Sequence, residues 1–332
     1  MTGFIFLDKP EGLTSFVAAN RVKRILKINK TGHTGTLDPM ATGVLPVMLG
    51  GATRFSQYLP THDKTYRAKV LLGTVTDTLD ITGTVLQKNP VNVSVDRLNG
   101  VINRFVGSIS QLPPMYSAVS KDGVRLYKLA RQGIEIEREA RNVVIRYIKL
   151  LDVPDENNEF EIEVSCSAGT YIRSLAADIG SELGCGAVIT ALRRIEANGV
   201  SIDKTVTLET VQRLADEGRI DELITPCDEM LRCYTAVNVS EKQAIRFENG
   251  GELDLNRIKG EKNDGFCRVY SPAKKFLGLG KISLVDGMLY VEKKLVYLGC
   301  YYYEMVYFFY CSSALLELFG FIFKNRLRRL KG

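Results

Sequence analysis

Two histidines, no tryptophan and no CxxC pair are found in 332 residues. A histidine-rich metal site is thereby excluded, and a Ser/His/Asp triad would have to recruit His33 or His62. The missing tryptophan decides nothing. Seven cysteines (Cys166, Cys185, Cys227, Cys233, Cys267, Cys300 and Cys311) have no histidine nearby. Their odd number, and an opening "MTGFIFLDKPEG" whose apolar run is too short for a secretory signal, lead us to expect a reduced, cytoplasmic protein. There is no internal repeat and no low-complexity tract. An apolar content of 45% and a charged content of 25% are those of a folded globular chain. Its length exceeds one ordinary core, so two domains, or one domain with an appendage, are expected.

Charge is present but unevenly placed. The net charge is +6, and residues 1–70 carry ten Lys/Arg against four acids, which accounts for all of it. A polyanion approaching that surface would explain the bias; a solvated helix face would explain it equally well.

Within that basic stretch lies "GHTGTLDPMATGVLP", residues 32–46, with a single acid, Asp38. Pro39 pushes Asp38 toward extended backbone, while Gly32, Gly35 and Gly43 permit geometries closed to other residues. No GK[ST] follows and the spacing is not GxGxxG, so a nucleotide-phosphate loop is a poor fit. A turn aspartate bonded to backbone amides is the ordinary reading of an isolated Asp-Pro.

Around the loop the apolar spacing sets local structure. "GFIFLDK" reads as a buried strand, and Thr14 or Ser15 caps a helix whose apolar face is Ala18, Val22, Ile25 and Leu26. Its other face carries Arg21, Lys23, Arg24 and Lys27. From Thr65, Tyr66, Ala68, Val70 and Leu72 alternate with Arg67 and Lys69, as in a strand with one wet face. A second such strand places Phe160, Ile162, Val164 and Cys166 opposite Glu159, Glu161, Glu163 and Ser165. After Gly169 the period becomes helical through Ile172, Leu175, Ala176, Ile179 and Leu183, with Gly184 as the stop and Arg173 in the first turn. Residues 113–141 read as a basic helical excursion in which Arg125, Lys128, Arg131, Arg138 and Arg141 can grip phosphates. A solvated helical hairpin is the plainer alternative. From about Tyr234 short alternating runs predict a small all-β domain.

The segments "KTGHTGTLDPMATGVLPVMLGGATRFSQYL", "LDKPEGLTS", "DKTYRAKVLLG", "LYKLARQGIEIEREAR", "CSAGTYIRSLAADIGSELGCGAVITALRRI" and "FLGLGKI" are together similar to the bacterial TruB-type tRNA pseudouridine synthases, in order over residues 3–294. The resemblance implies an α/β (α+β) pseudouridine synthase fold with a mixed, largely antiparallel sheet over residues 1–232. It also implies an RNA-gripping insertion at 113–141 and a β-rich, PUA-like domain at 233–294. The activity implied is isomerisation of the T-loop uridine (position 55) of tRNA by a cytoplasmic monomer, with no cofactor and no metal. The family's catalytic aspartate falls on Asp38 in GTLDP, its active-site tyrosine on Tyr66, and the arginine of its GTYIR element on Arg173. On the substrate-binding side, Tyr171 belongs to the same GTYIR element and Lys64 to the K-x-Y element. Leu192 corresponds to the leucine lining the uracil pocket. His33 corresponds to the histidine that packs on the T-loop, and Lys9 belongs to the KP element, which either shapes the cleft floor or touches RNA.

Those roles make chemical sense. Breaking the N1–C1′ bond, turning the base and rejoining it through C5 needs one ionised nucleophile, a partner that keeps it ionised, and an aromatic shelf for the extruded base. A second acid is not required, which answers why Asp38 stands alone. His62 and Asp77 belong to less distinctive stretches, and Asp80 is read as a supporting group. The rival from another class is a module that binds or folds the tRNA T-arm without turnover; the intact Asp38, Tyr66 and Arg173 set argues against it.

The chain departs from the family after "VEKKL". Residues 295–332 are apolar and aromatic with a basic end, and from Met305 to Phe323 only Glu317 is charged, close to the length of a membrane span. An extension without evolved structure is the first reading, a membrane-contacting tail the second and an oligomer contact the third.

Overall fold

The computed structural model describes residues 1–60, 63–117, 119–121 and 123–295. His62 and the apolar tail from residue 296 onward lie outside the described residues. The chain divides into two compact units: Gly3–Leu49 with Phe55–Cys233, and the chain from Tyr234 together with Met1–Thr2 and Gly50–Arg54.

The larger unit begins with β1 (Gly3–Lys9), α1 (Ser15–Ile25), β2 (Thr31–His33), β3 (Thr42–Leu49) and β4 (Lys64–Leu72). A ribbon of β5 (Thr74–Thr76) and β6 (Val85–Lys88) leads to α2 (Val95–Arg104) and β7 (Gly107–Gln111). A second ribbon, β8 (Ser120–Lys121) and β9 (Val124–Arg125), precedes α3 (Leu126–Ala130) and β10 (Arg141–Asp152). The unit then runs through β11 (Glu159–Cys166), α4 (Ile172–Leu183), β12 (Ala187–Ala197), β13 (Val200–Ser201) and α5 (Leu208–Asp216).

Nine of these strands form one sheet in the order β1-β3-β12-β4-β11-β10-β7, with β2 added to β3 and β13 to β12. Every pairing is antiparallel except β3 with β12, which run parallel where Arg193 meets Thr42 and Arg194 meets Gly43. The sheet is thus mixed and largely antiparallel. Its apolar side chains fall into two clusters. Residues of α2 and α4 pack with β4, β10, β11 and β12, while α1 and α5 pack with β1 and β3. The residue 34–41 loop lies where the two meet, contributing Leu37 and Ala41 to the first.

Local signals explain the elements that frame this loop. Thr14 caps α1 by accepting from the Val17 amide, and Ala18 and Val22 are fully buried. On β4, Tyr66, Ala68, Val70 and Leu72 are buried and Arg67 and Lys69 exposed, as the alternation requires. On β11, Phe160, Ile162, Val164 and Cys166 are buried, but so is Ser165, because β4 and β10 flank it at Thr65 and Tyr147. Helix α4 ends at Gly184, in the left-handed conformation at φ 81°.

Two expectations need correction. Residues 113–141 are not a helical excursion: they hold the β8–β9 ribbon and a single five-residue helix, α3. Gly123 and Gly133, both with positive φ, flank α3 on either side and leave room for little more than one turn. The second unit is β-rich but not all-β. Its five-stranded sheet has the order β14 (Thr235–Asn238), β16 (Gly265–Tyr270), β17 (Phe276–Ser283), β18 (Met288–Lys294), β15 (Leu253–Asp254), and it also holds α6 (Glu241–Glu248). A capping box between Ser240 and Gln243 starts that helix, which buries Ala244 and Phe247, so the stretch read as alternating from about Tyr234 includes a helix. Among the described residues no helix is long and apolar enough to cross a membrane.

Candidate active site

The loop carrying Asp38 is clamped from three directions. Ser15, the first residue of α1, donates its hydroxyl to the Leu37 carbonyl at 3.1 Å and accepts from the Leu37 amide at 2.8 Å. From the end of β1, Lys9 is fully buried and gives its ammonium to the carbonyls of Pro10 (2.9 Å), Leu13 (2.6 Å) and Pro39 (3.3 Å). From β12, the fully buried Arg194 donates Nε to Val44 O at 2.8 Å and Nη2 to Gly35 O at 2.9 Å. The β3–β12 approach is so close at Gly43 that an added Cβ would lie 2.1 Å from the Arg194 carbonyl oxygen. Only glycine fits there, at φ 101°.

Held in this way, Asp38 keeps 36% of its side chain open to a cavity of about 350 Å³. Facing it is Arg173, 4% exposed, whose Nε lies 2.9 Å from Asp38 Oδ2. The remaining donors of Arg173 are fixed as well. Nη1 reaches the Thr78 carbonyl at 2.9 Å and Asp80 Oδ2 at 3.6 Å, and Nη2 the Tyr116 carbonyl at 2.8 Å. The arginine is therefore a rigid fork rather than a mobile surface cation. Asp80 is itself buried, and its Oδ1 accepts from Thr78 Oγ1, the Thr82 amide and Thr82 Oγ1. Its segment docks on β12 through backbone pairing of Asp80 with Ile189.

The electrostatic balance at Asp38 is a contest. Burial pushes its carboxyl above the ordinary carboxylate value, Arg173 pulls it down by charge and by hydrogen bond, Asp80 adds repulsion and Lys9 opposes it. The net displacement is upward.

Of the residues singled out from the sequence, Asp38, Lys64, Tyr66, Tyr171, Arg173 and Leu192 line one cavity. Lys64 and Tyr66 come from β4, Leu192 from β12, and Tyr171 and Arg173 from the start of α4. Tyr171 is fixed by Gln111, which accepts from its amide at 2.8 Å and donates to its carbonyl at 3.1 Å. Burial raises the Tyr66 phenol and lowers the Lys64 ammonium, and the Arg194 charge lowers both. His33, at the end of β2, lies outside the cavity lining. Burial, then Arg194, lowers its imidazole below the usual histidine value, so it is neutral at neutral pH. Lys9 is beneath the loop rather than on the cavity wall, and burial lowers its ammonium to about 8. Asp77 caps the Thr84 amide and lies outside the cavity lining.

Arg194 is the residue that sequence reasoning missed. The signal was there: Leu192 and Arg194 are two apart on one strand and so share a face. Among the described residues there is no group of three or more His, Cys, Asp or Glu that could hold a metal.

Known proteins resemble this chain over most of its length. Residues 23–172 match the TruB family pseudouridylate synthase N-terminal domain, residues 173–232 the tRNA pseudouridylate synthase B C-terminal domain, and residues 235–291 the pseudouridine synthase II TruB C-terminal domain. A tRNA pseudouridine synthase B of Salmonella paratyphi B is 43% identical over 290 residues, covering 84% of this chain and 91% of its own. One from Escherichia coli O1:K1 / APEC is 41% identical over 292 residues, covering 85% and 91%. Among solved structures, a chain of the archaeal box H/ACA sRNP Nop10–Cbf5 complex is similar with TM-score 0.64 and 27% identity, covering 89% of this chain and 86% of that one. A Cbf5–Nop10–Gar1 complex gives 0.65 and 28%, with 89% and 85% covered. With the matched domains following one another from residue 23 to 291 and such relatives spanning most of its length, the chain belongs to the TruB family of pseudouridylate synthases.

Proposed function

We propose that the protein converts uridine 55 in the T-loop of tRNA to pseudouridine, acting as a cytoplasmic monomer on the T-arm. The observation that carries this reading is the Asp38–Arg173 pair at 2.9 Å, facing a cavity large enough for one base and walled by Tyr66 and Leu192. The relatives' name, tRNA pseudouridine synthase B, supplies the substrate class.

In this reading residues 1–232 carry the chemistry, residues 113–141 grip the RNA, and residues 233–294 form a PUA-like module. The uridine leaves its stack and enters the cavity, where Tyr66 and Leu192 enclose the base. Asp38, kept ionised by Arg173, adds to C1′ of the ribose or to C6 of the base. The N1–C1′ bond breaks, the base turns, C5 bonds to C1′, and the bond to Asp38 breaks to return its free carboxylate. C5 then loses its proton, which the Tyr66 hydroxyl can relay by passing on its own, and N1 takes one up, so the formula of the nucleotide is unchanged. Lys64 and Tyr171 hold the substrate at the cavity wall, and the neutral imidazole of His33 offers a flat surface to the rearranged T-loop.

The test is a T-arm stem-loop tritiated at C5 of its uridines. Release of tritium by the native chain and loss of release in Asp38→Asn, with RNA binding retained, is the expected result. Binding without release from the native chain would refute turnover and leave a T-arm-binding module.

A further inference from the structure

Phe16 stands out on the surface of the larger unit. It is 70% exposed, one residue from Ser15, whose hydroxyl is bonded to both backbone groups of Leu37 beside Asp38. At that exposure the ring buries little of its apolar surface in the free protein and leaves a face open to a partner.

The helical repeat places Phe16, Asn20 and Lys23 on one stripe of α1, and Lys27 follows in the turn beyond the helix end at Ile25. Ala19 borders that stripe, and its carbonyl accepts from Thr31 Oγ1 of β2, so the stripe runs along the strand that ends in His33. Lys27 holds φ 51°, a left-handed conformation where glycine is the ordinary residue, and it sends its side chain to solvent. None of the ion pairs among the described residues involves Lys23 or Lys27. Arg21 and Arg24 differ. They line a groove together with Glu209 and Asp216 of α5 and with Glu217 just beyond it, so acidic side chains stand in the same groove.

An exposed ring next to the residue that holds the cavity-lining Leu37, followed by lysines outside those ion pairs, matches what a single nucleic-acid strand needs: one face on which a base stacks and cations along its phosphates. We propose that this stripe of α1 docks the RNA strand next to the flipped nucleotide, with an unpaired base on Phe16 and phosphates at Lys23 and Lys27. The inference rests on RNA being the substrate. A base stacked on Phe16 replaces part of the stacking lost when the target is extruded, which links the surface contact to entry into the cavity.

The test uses the full chain and the T-arm stem-loop, with Kd from filter binding and kcat and KM from tritium release. Phe16→Ala is expected to weaken binding and raise KM roughly 5- to 100-fold, the range for losing one base–aromatic stack, with kcat within about twofold. Phe16→Tyr restores native affinity. The double change Lys23→Gln with Lys27→Gln lowers the slope of log K against log salt by about 1.4 for two single-strand phosphates. Phe16 is exposed, so its variants keep the native melting temperature and a folding defect cannot imitate the result. Unchanged Kd and KM in Phe16→Ala, or an unchanged salt slope in the lysine double variant, would overturn the inference while native turnover leaves the proposed activity standing. Failure of the native chain to release tritium would instead strike the activity itself.

Discussion

Asp80 Oδ2 lies 3.6 Å from Nη1 of Arg173, the same arginine whose Nε holds Asp38. The buried guanidinium therefore has two carboxylate partners, one facing the cavity and one behind it. Asp80→Asn keeps the shape and the Oδ1 contacts to Thr78 and Thr82 but removes the charge that anchors the far side of the fork. We expect kcat to fall about 10- to 100-fold, ~1.4–2.8 kcal/mol in barrier, with KM nearly unchanged. Single-turnover tritium release measures this, and an unchanged rate would show that Thr78 O and Tyr116 O position Arg173 without help.

The pH dependence follows from the contest at Asp38. A nucleophilic carboxylate works only when ionised, so the rate falls as pH drops through its pKa. Burial and Asp80 raise that pKa and Arg173 lowers it. The acid limb of kcat/KM is expected above the ordinary aspartate value of about 3.9, and Arg173→Gln is expected to move it higher still while slowing the reaction. The sign for stability is the reverse of that of a salt-bridged surface acid. With its folded-state pKa raised, Asp38 favours folding when protonated and loses that contribution as pH rises through its folded pKa. Asp38→Asn should therefore melt at or above the native temperature at pH 7, and the difference should close at a pH low enough to protonate Asp38 in both states.

How much of this was legible in advance depended on whether the signal was local. The alternation of Tyr66, Ala68, Val70 and Leu72, and the change from period two to helical period after Gly169, are short-range patterns. They correctly located β4 and α4, and with them Lys64, Tyr66, Tyr171 and Arg173. Asp80 and Arg194 gain their importance from distant partners. Asp80 meets Arg173 because its segment pairs with Ile189, and Arg194 sits under the Asp38 loop because β12 runs parallel to β3 at Gly43. Periodicity puts Arg194 on the same face as Leu192, but it announces neither of these pairings. Residues 113–141 failed for the opposite reason: their helix-forming composition was real, but glycines on either side of α3 confined it to that short helix.

Lys9 offers a direct separation of scaffold from substrate contact. Its ammonium is spent on three carbonyls, two of them (Leu13 and Pro39) in the loops around Asp38. Lys9→Met takes this donor from the Pro10 and Leu13 carbonyls, while Pro39 O keeps the Gly12 amide, and we expect a loss of roughly 1–3 kcal/mol of stability. The salt dependence of RNA binding should not change, because no phosphate contact is removed. Chemical denaturation and a salt titration of Kd check the two halves. A shallower salt slope with native stability would show instead that Lys9 reaches the RNA.

Gly43 tests whether the close approach of β3 and β12 is what holds the site together. Two glycines share the positive-φ region but differ in surroundings: an added Cβ at Gly43 would lie 2.1 Å from the Arg194 carbonyl oxygen, whereas at Gly218, φ 70°, nothing lies within 4 Å. Gly218→Ala therefore carries only the backbone cost of a left-handed alanine, about 1–2 kcal/mol. Gly43→Ala carries that cost and must also push β12 away from β3, moving Arg194 off Gly35 O and Val44 O and loosening the loop that aims Asp38. We expect it to lose more than about 3 kcal/mol, and the molecules that still fold to turn over slowly. Melting temperatures of the two variants, with tritium release normalised to folded protein, check this. Equal destabilisation at both positions would mean that the sheet absorbs the methyl group without disturbing Arg194.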